Sequence, residues 1–160
     1  MLKDIRIKTD EGNNTILNMK EMLETINRRI EYLYDREHTI GHAYFTKLKE
    51  EATVKALAEI FEGKVIPLLQ EYFYEDYEKI RLVLGDNAKS DGQYTFIMEQ
   101  PMNRDVFRGN PDIDMDEKSY TINQDALNNI QSYIQIYTDS AEKTTKGNDD
   151  EEGGTGNQGV

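Results

Sequence analysis

The sequence predicts a mainly α fold: a helical bundle with a small antiparallel β ribbon, ending in a disordered acidic tail. Three observations predict it. Apolar residues recur at helical spacing over 19–33, 54–73 and 124–137; two β-prone runs flank a Pro/Gly/Asn-rich excursion; and the stretch beyond Thr138 has no aromatic residue.

The elements follow in chain order. Residues 1–14 are polar apart from Leu2, Ile5 and Ile7, whose alternation suits a short strand or an extended lead-in, and they are assigned as a connector. Met19, Leu23, Ile26, Ile30 and Leu33 then draw one stripe down a helix of about five turns. Asn18 is placed to cap it, Glu21 stands three residues on as in a capping box, and Leu17 can staple onto Met22. The period breaks at Asp35 and a structured loop is expected through Phe45, with Gly41 free to take a backbone conformation closed to other residues.

Helical spacing resumes at Val54, Leu57, Ala58 and Phe61 and again at Val65, Leu68, Leu69, Tyr72 and Phe73, with Gly63 and Pro67 at the join. That reads as two helices or one kinked helix, Pro67 sitting in a first turn where its missing N–H does no harm. A short helix carrying Tyr77, Ile80 and Leu84 closes on Gly85. Strands are expected at 94–98 and 119–123, paired as a ribbon, and a last helix from Gln124 to Tyr137 with Asn123 as its cap. The predicted organisation is therefore a connector at 1–14, a helical body at 15–137 and a tail at 138–160, too polar to offset the entropy of ordering.

The 160 residues carry a formal charge of −12, with a pI near 4.6. That balance disfavours direct nucleic-acid binding, which needs clustered Lys and Arg to displace counterions from phosphates. Part of the acidity lies in the tail, where Asp139, Glu142, Asp149, Asp150, Glu151 and Glu152 face only Lys143 and Lys146. With no cysteine, thiol catalysis, disulfides and thiolate metal sites are excluded. The polar N-terminus lacks a signal-peptide core and no run reaches the ~18 apolar residues of a membrane span, so a cytoplasmic location with no membrane partner is expected.

Few residue patterns suggest chemistry. His38 and His42 stand four apart, but Thr39 follows the first where a zinc-protease motif needs Glu, and Ile40-Gly41 favours a loop. Asp112, Asp114 and Asp116 open like a calcium loop, yet the sixth and twelfth positions are Glu117 and Asn123. Glu71, Glu75, Asp76 and Glu78 alternate with aromatics and read as a solvated helix face. No catalytic residue and no metal ligand set is assigned. No phosphate loop is present either, so the residues cannot by themselves cradle the phosphates of ATP or GTP.

Read together, Leu23 to Phe45, with Ile40-Gly-His-Ala-Tyr-Phe45 at its end, and Ile66-Pro-Leu-Leu-Gln-Glu-Tyr-Phe-Tyr-Glu-Asp76 resemble the C-terminal lid region of McrB-like AAA+ NTPases, the motor subunits of the 5-methylcytosine-specific restriction system. The resemblance continues through Lys79-Ile-Arg-Leu-Val-Leu-Gly-Asp86 and to the close at Tyr133-Ile-Gln-Ile-Tyr137, covering roughly 15–137.

It implies an AAA+ lid-type bundle that closes over a nucleotide held mainly by a preceding α/β core. Residues 1–14 would connect to that core, whose phosphate loop, Mg²⁺-coordinating acid, sensor Asn and arginine finger are absent here. The expectation is thus a truncated gene product or excised domain, inactive alone and without a cofactor of its own. In the parent motor the resemblance implies GTP or ATP with Mg²⁺, the AAA+ core and neighbouring subunits of a hexamer as partners, and an McrC-like endonuclease subunit. Carried over residue by residue, Gly41 and His42 are the nucleotide-facing candidates, with Thr39 and Arg36 near the place of a sensing cation; Thr39 stands where relatives can have Arg. Against this stands a purely structural role, in which His42, Tyr44 and Phe45 pin the loop onto the helices. Two rival functions are a stand-alone interaction module that docks onto intact motor subunits, and a metal-dependent hydrolase built on His38 and His42.

Overall fold

The structure, a computed structural model, describes residues 4–9, 12, 14–114 and 118–139. The expected disordered tail lies outside the described residues except for Thr138 and Asp139, as do Leu2, Asp116 and Glu117.

The chain opens with an antiparallel ribbon of β1 (Asp4–Lys8) and β2 (Asn14–Asn18), in register Ile5 to Leu17 and Ile7 to Thr15. The alternation of Ile5 and Ile7 thus produces a strand whose Ile7 is fully buried. Residues 14–18, to which the sequence assigned no strand, form its partner, and Lys8 N–H donates to Ala52 O at 2.9 Å.

α1 (Met19–Leu33) has the predicted bounds. Asn18 Oδ1 accepts from Glu21 N–H at 3.0 Å and Asn18 Nδ2 reaches Glu21 Oε2 at 3.3 Å, while Leu17 and Met22 are both buried. The predicted loop corrects partway along, because a 3₁₀ helix occupies His42–Lys49. Its buried residues, Phe45 and Leu48, are three apart, so they share a face at three residues per turn and not at 3.6.

α2 (Val54–Ile60) and α3 (Ile66–Tyr72) are joined by a π-helical turn at Phe61–Val65, so of the two alternatives that the spacing left open the chain takes the single helical run. Ile66 N–H reaches back five residues to Phe61 O. The wider turn falls where Pro67, lacking an N–H and clashing with the carbonyl four residues earlier, would disturb an ordinary α-helix. Tyr74 and Glu75 then turn the chain at φ of 50° and 60°, and Asp76 caps α4 (Tyr77–Leu84). Gly85 closes α4 at φ 76°, as predicted.

The second ribbon pairs β3 (Ile97–Pro101) with β4 (Lys118–Ile122). Its first strand starts later than predicted, because Gly92–Tyr94 forms a 3₁₀ turn capped by Asp91. The last predicted helix is broken into α5 (Gln124–Leu127) and α6 (Ile130–Tyr137). Asn123 accepts from Ala126 N–H as predicted, but Asn129 accepts from Gln131 N–H and begins a second helix.

The fold is mainly α, and its buried residues form one core reaching from Ile7 to Ile136. At its centre Phe61 stacks on Phe96 at 5.5 Å, with Tyr133 edge-on to Phe61 at 4.9 Å. Tyr133 donates to Leu127 O at 2.6 Å, and burial pushes its phenol far above the ordinary value. Asp86 and Lys89, both side chains fully buried, pair at 2.9 Å. Asp86 also accepts from Phe96 and Ile97 N–H, and the Lys89 ammonium sits 3.8 Å from the Phe96 ring centroid. That knot fastens the start of β3 to the end of α4.

Candidate functional site

α1 stops at Tyr34, and the next residues fold around the Asp35 carboxylate. Asp35 Oδ1 accepts from Glu37 N–H at 2.8 Å and His38 N–H at 2.9 Å, the side chain mimicking a backbone turn. His38 Nδ1 lies 2.7 Å from both carboxylate oxygens. That hydrogen bond, aided by the two backbone donors, holds the Asp35 carboxyl below its usual range. The imidazole is packed edge-on against Tyr34 at 4.7 Å and Tyr72 at 5.1 Å, which ties the turn to the end of α3.

Two residues on, Asn27 grips the loop from within α1. Its Nδ2 donates to Ile40 O at 2.8 Å and its Oδ1 accepts from Ile40 N–H at 2.6 Å, while the Ile40 side chain is buried. Beyond Gly41, Phe45 enters the core 6.1 Å from Phe61, and Tyr44 lies half-buried with Lys64 Nζ 5.9 Å from its ring centroid. The loop is therefore fixed at Asp35, Ile40 and Phe45.

Arg36, Thr39, Gly41 and His42 all lie exposed on this fixed segment. Arg36 Nε is turned back to Glu31 at 3.1 Å, so it carries a carboxylate partner of its own. His42 makes no side-chain hydrogen bond or ion pair among the described residues and does not share in pinning the loop; Phe45 does. Gly41 differs from expectation: at φ −86° and ψ 164° it is extended backbone open to any residue, and a Cβ there would meet no atom within 4 Å.

His38 is committed to Asp35, and among the described residues no cluster of three or more His, Asp or Glu side chains is arranged to hold a metal. Asp76 caps α4, while Glu71, Glu75 and Glu78 are exposed. No described helix is long and apolar enough to cross a membrane.

A second feature was not anticipated from sequence. A groove of about 450 Å³ runs between the C-terminal half of α1 and the end of α4, lined by Arg28, Arg29, Tyr32, Leu33, Leu82 and Asn87 among others. Arg29 donates to Val83 O at 3.0 Å, and burial, then the neighbouring Arg28 charge, lower its pKa. Neither arginine has a carboxylate partner among the described residues. The adjacent Arg28-Arg29 pair was the one signal in the sequence, and it is legible only once α4 is placed beside it.

Residues 18–81 match a family model described as the alpha-helical lid domain of McrB. The matched stretch begins at the cap of α1, contains the Asp35–Gly41 loop and ends within α4. No curated protein matches the chain.

Proposed function

We propose, from the premise that residues 18–81 are a McrB-like lid region, that this chain is the lid and C-terminal part of an AAA+ motor that hydrolyses GTP or ATP and drives DNA translocation for a restriction endonuclease. The observation that carries the reading is the match over α1, the loop and α3, joined to a loop that is fixed at both ends yet leaves Thr39, Gly41 and His42 uncovered. A lid needs that combination, since a rigid exposed segment can meet a nucleotide without losing much freedom on binding.

In this reading the nucleotide with its Mg²⁺ sits mainly on an α/β core whose phosphate loop lies outside these 160 residues. Gly41 and His42 face the nucleotide, with Thr39 beside them. Arg36 is a weaker candidate, because its guanidinium is turned back toward Glu31 at 3.1 Å. The chain alone then hydrolyses nothing. Its partners are the core, neighbouring subunits of a hexamer and an McrC-like nuclease subunit; direct contact with DNA is not expected of so acidic a piece.

The test is capture of intact McrB-like motor subunits by the folded chain, with and without a non-hydrolysable GTP or ATP analogue. Capture that depends on nucleotide supports the lid reading. Equal capture in both conditions favours a stand-alone interaction module, and no capture by folded chain counts against docking in trans altogether.

A further inference from the structure

The α1/α4 groove carries a positive charge that the described residues leave unanswered. Arg28 and Arg29 both line it, and neither has a carboxylate partner among the described residues. Arg28 is exposed, while burial and the Arg28 charge both work against the Arg29 cation. Beside them stand Leu33, Leu82 and Ala88, which make the wall apolar. A cleft with charge of one sign and low-dielectric walls focuses its field outward, and so draws in an anionic segment.

The chain holds such a segment close at hand. Asp149, Asp150, Glu151 and Glu152 are four carboxylates in succession, the longest acidic run in the sequence. They lie outside the described residues, but the point from which they are tethered does not. Arg29 Nη1 and Ile136 O lie 3.2 and 3.3 Å from one position, that of a Cβ at Gly85, so the end of α6 meets the groove cation directly. Asn87 and Ala88, just after Gly85, line the same groove. Thr138 then leaves α6 as extended backbone, at φ −123° and ψ 148°. Asp149 follows Asp139 by ten residues, a tether of at most roughly 33–36 Å. A link that short keeps the run at an effective concentration on the order of mM around the groove.

We propose that residues 149–152 dock in cis on Arg28 and Arg29, so that the acidic tail covers the α1/α4 groove of its own chain. The run has no apolar side chain, so ion pairs at the two arginines hold the contact. It therefore weakens with salt, which shortens the screening length from about 8 Å at 0.15 M to about 3 Å at 1 M. Any acidic partner that seeks the same groove must first displace the tail, which acts as an internal competitor. The contact stands apart from the lid reading and requires neither nucleotide nor motor core.

The experiment is paramagnetic broadening of backbone amide signals in the full 160-residue chain. The sequence has no cysteine, so Asn148→Cys provides a single attachment point for a nitroxide beside the acidic run. At low ionic strength the amides of residues 28–33 and 82–88 are expected to lose signal, and to recover most of it in 1 M salt. The tether alone brings the label near the groove, so the reference is the same labelled chain with Asp149→Asn, Asp150→Asn, Glu151→Gln and Glu152→Gln. Relative to it the wild-type run should broaden the groove amides at least twofold more, and Arg28→Glu should remove that excess. Equal broadening in the neutralised chain overturns the proposal, as does an excess centred on another cationic site such as Lys49 and Lys55, or one that Arg28→Glu or 1 M salt leaves unchanged. The amide spectrum itself shows that each variant is folded, and none of these results depends on capture of a motor.

Discussion

Asn27 is the residue on which the geometry of the candidate site most directly depends. Its amide satisfies both backbone groups of Ile40, so the exposed residues at 39, 41 and 42 hang from a point fixed to α1. Removing the amide leaves two part-buried polar groups to find water, at a cost of about 1–3 kcal/mol. Asn27→Ala is therefore expected to lower global stability by roughly that amount and to accelerate hydrogen exchange at Ile40 more than in the middle of α1. Unchanged exchange at Ile40 would show that Asp35 and Phe45 hold the loop by themselves. The Asp35–His38 contact stabilises the loop in a different way. Since the folded carboxyl titrates below its ordinary range, its contribution is present above the unfolded value near ~3.9 and fades as pH falls through the folded one.

Element boundaries explain most of the architecture, and Gly85 is the clearest of them. It ends α4 in the left-handed region, and a Cβ there would lie 3.2 Å from Arg29 Nη1, 3.3 Å from Ile136 O and 3.4 Å from Gln135 O. Positive φ and close approach act together at this one position, where α1, α4 and α6 converge. Gly85→Ala should destabilise the fold by about 1–2 kcal/mol, read as a lowered denaturation midpoint, and should disturb the Arg29 contact with Val83 O. A midpoint equal to wild type would mean that the left-handed backbone and the close approach at this position both relax without cost. Elsewhere the boundaries are set by side chains: Asn18, Thr53, Asp76, Asn123 and Asn129 each accept a hydrogen bond from a backbone N–H in the first turn of a helix.

At the scale of the whole molecule, the Asp86–Lys89 pair decides how the second half of the chain joins the first. The carboxylate accepts from the N–H groups of Phe96 and Ile97, and the ammonium lies against Phe96 and donates to Tyr94 O at 2.9 Å. A buried charge that loses its partner is costly, so Lys89→Met should destabilise the protein by about 3–5 kcal/mol. Asp86→Asn combined with Lys89→Met should recover part of that loss, since no full charge then remains buried. Chemical denaturation of the three proteins measures both. If the double variant is worse than Lys89→Met alone, the backbone hydrogen bonds of Asp86 matter more than its charge.

Helices whose stripes face one core and whose caps are local can be read directly from the order of residues. α1 was legible from its three-four spacing and Asn18, α4 from Ile80, Leu84 and Gly85, and the existence of a β3–β4 ribbon from its alternating β-prone residues. The candidate residues at 36, 39, 41 and 42 were legible as a motif, but not the state of each: Arg36 paired, Gly41 extended, His42 free of partners among the described residues. Tertiary structure alone decided the features that need two distant segments. Asn27 meets Ile40 across 13 residues, Lys8 meets Ala52, and Arg29 reaches Val83 across 54. The groove exists only because α4 packs beside α1. The physical reason is common to all of them: spacing and capping act within a few residues of the chain, whereas a buried hydrogen bond or a groove is a property of surfaces that folding brings together.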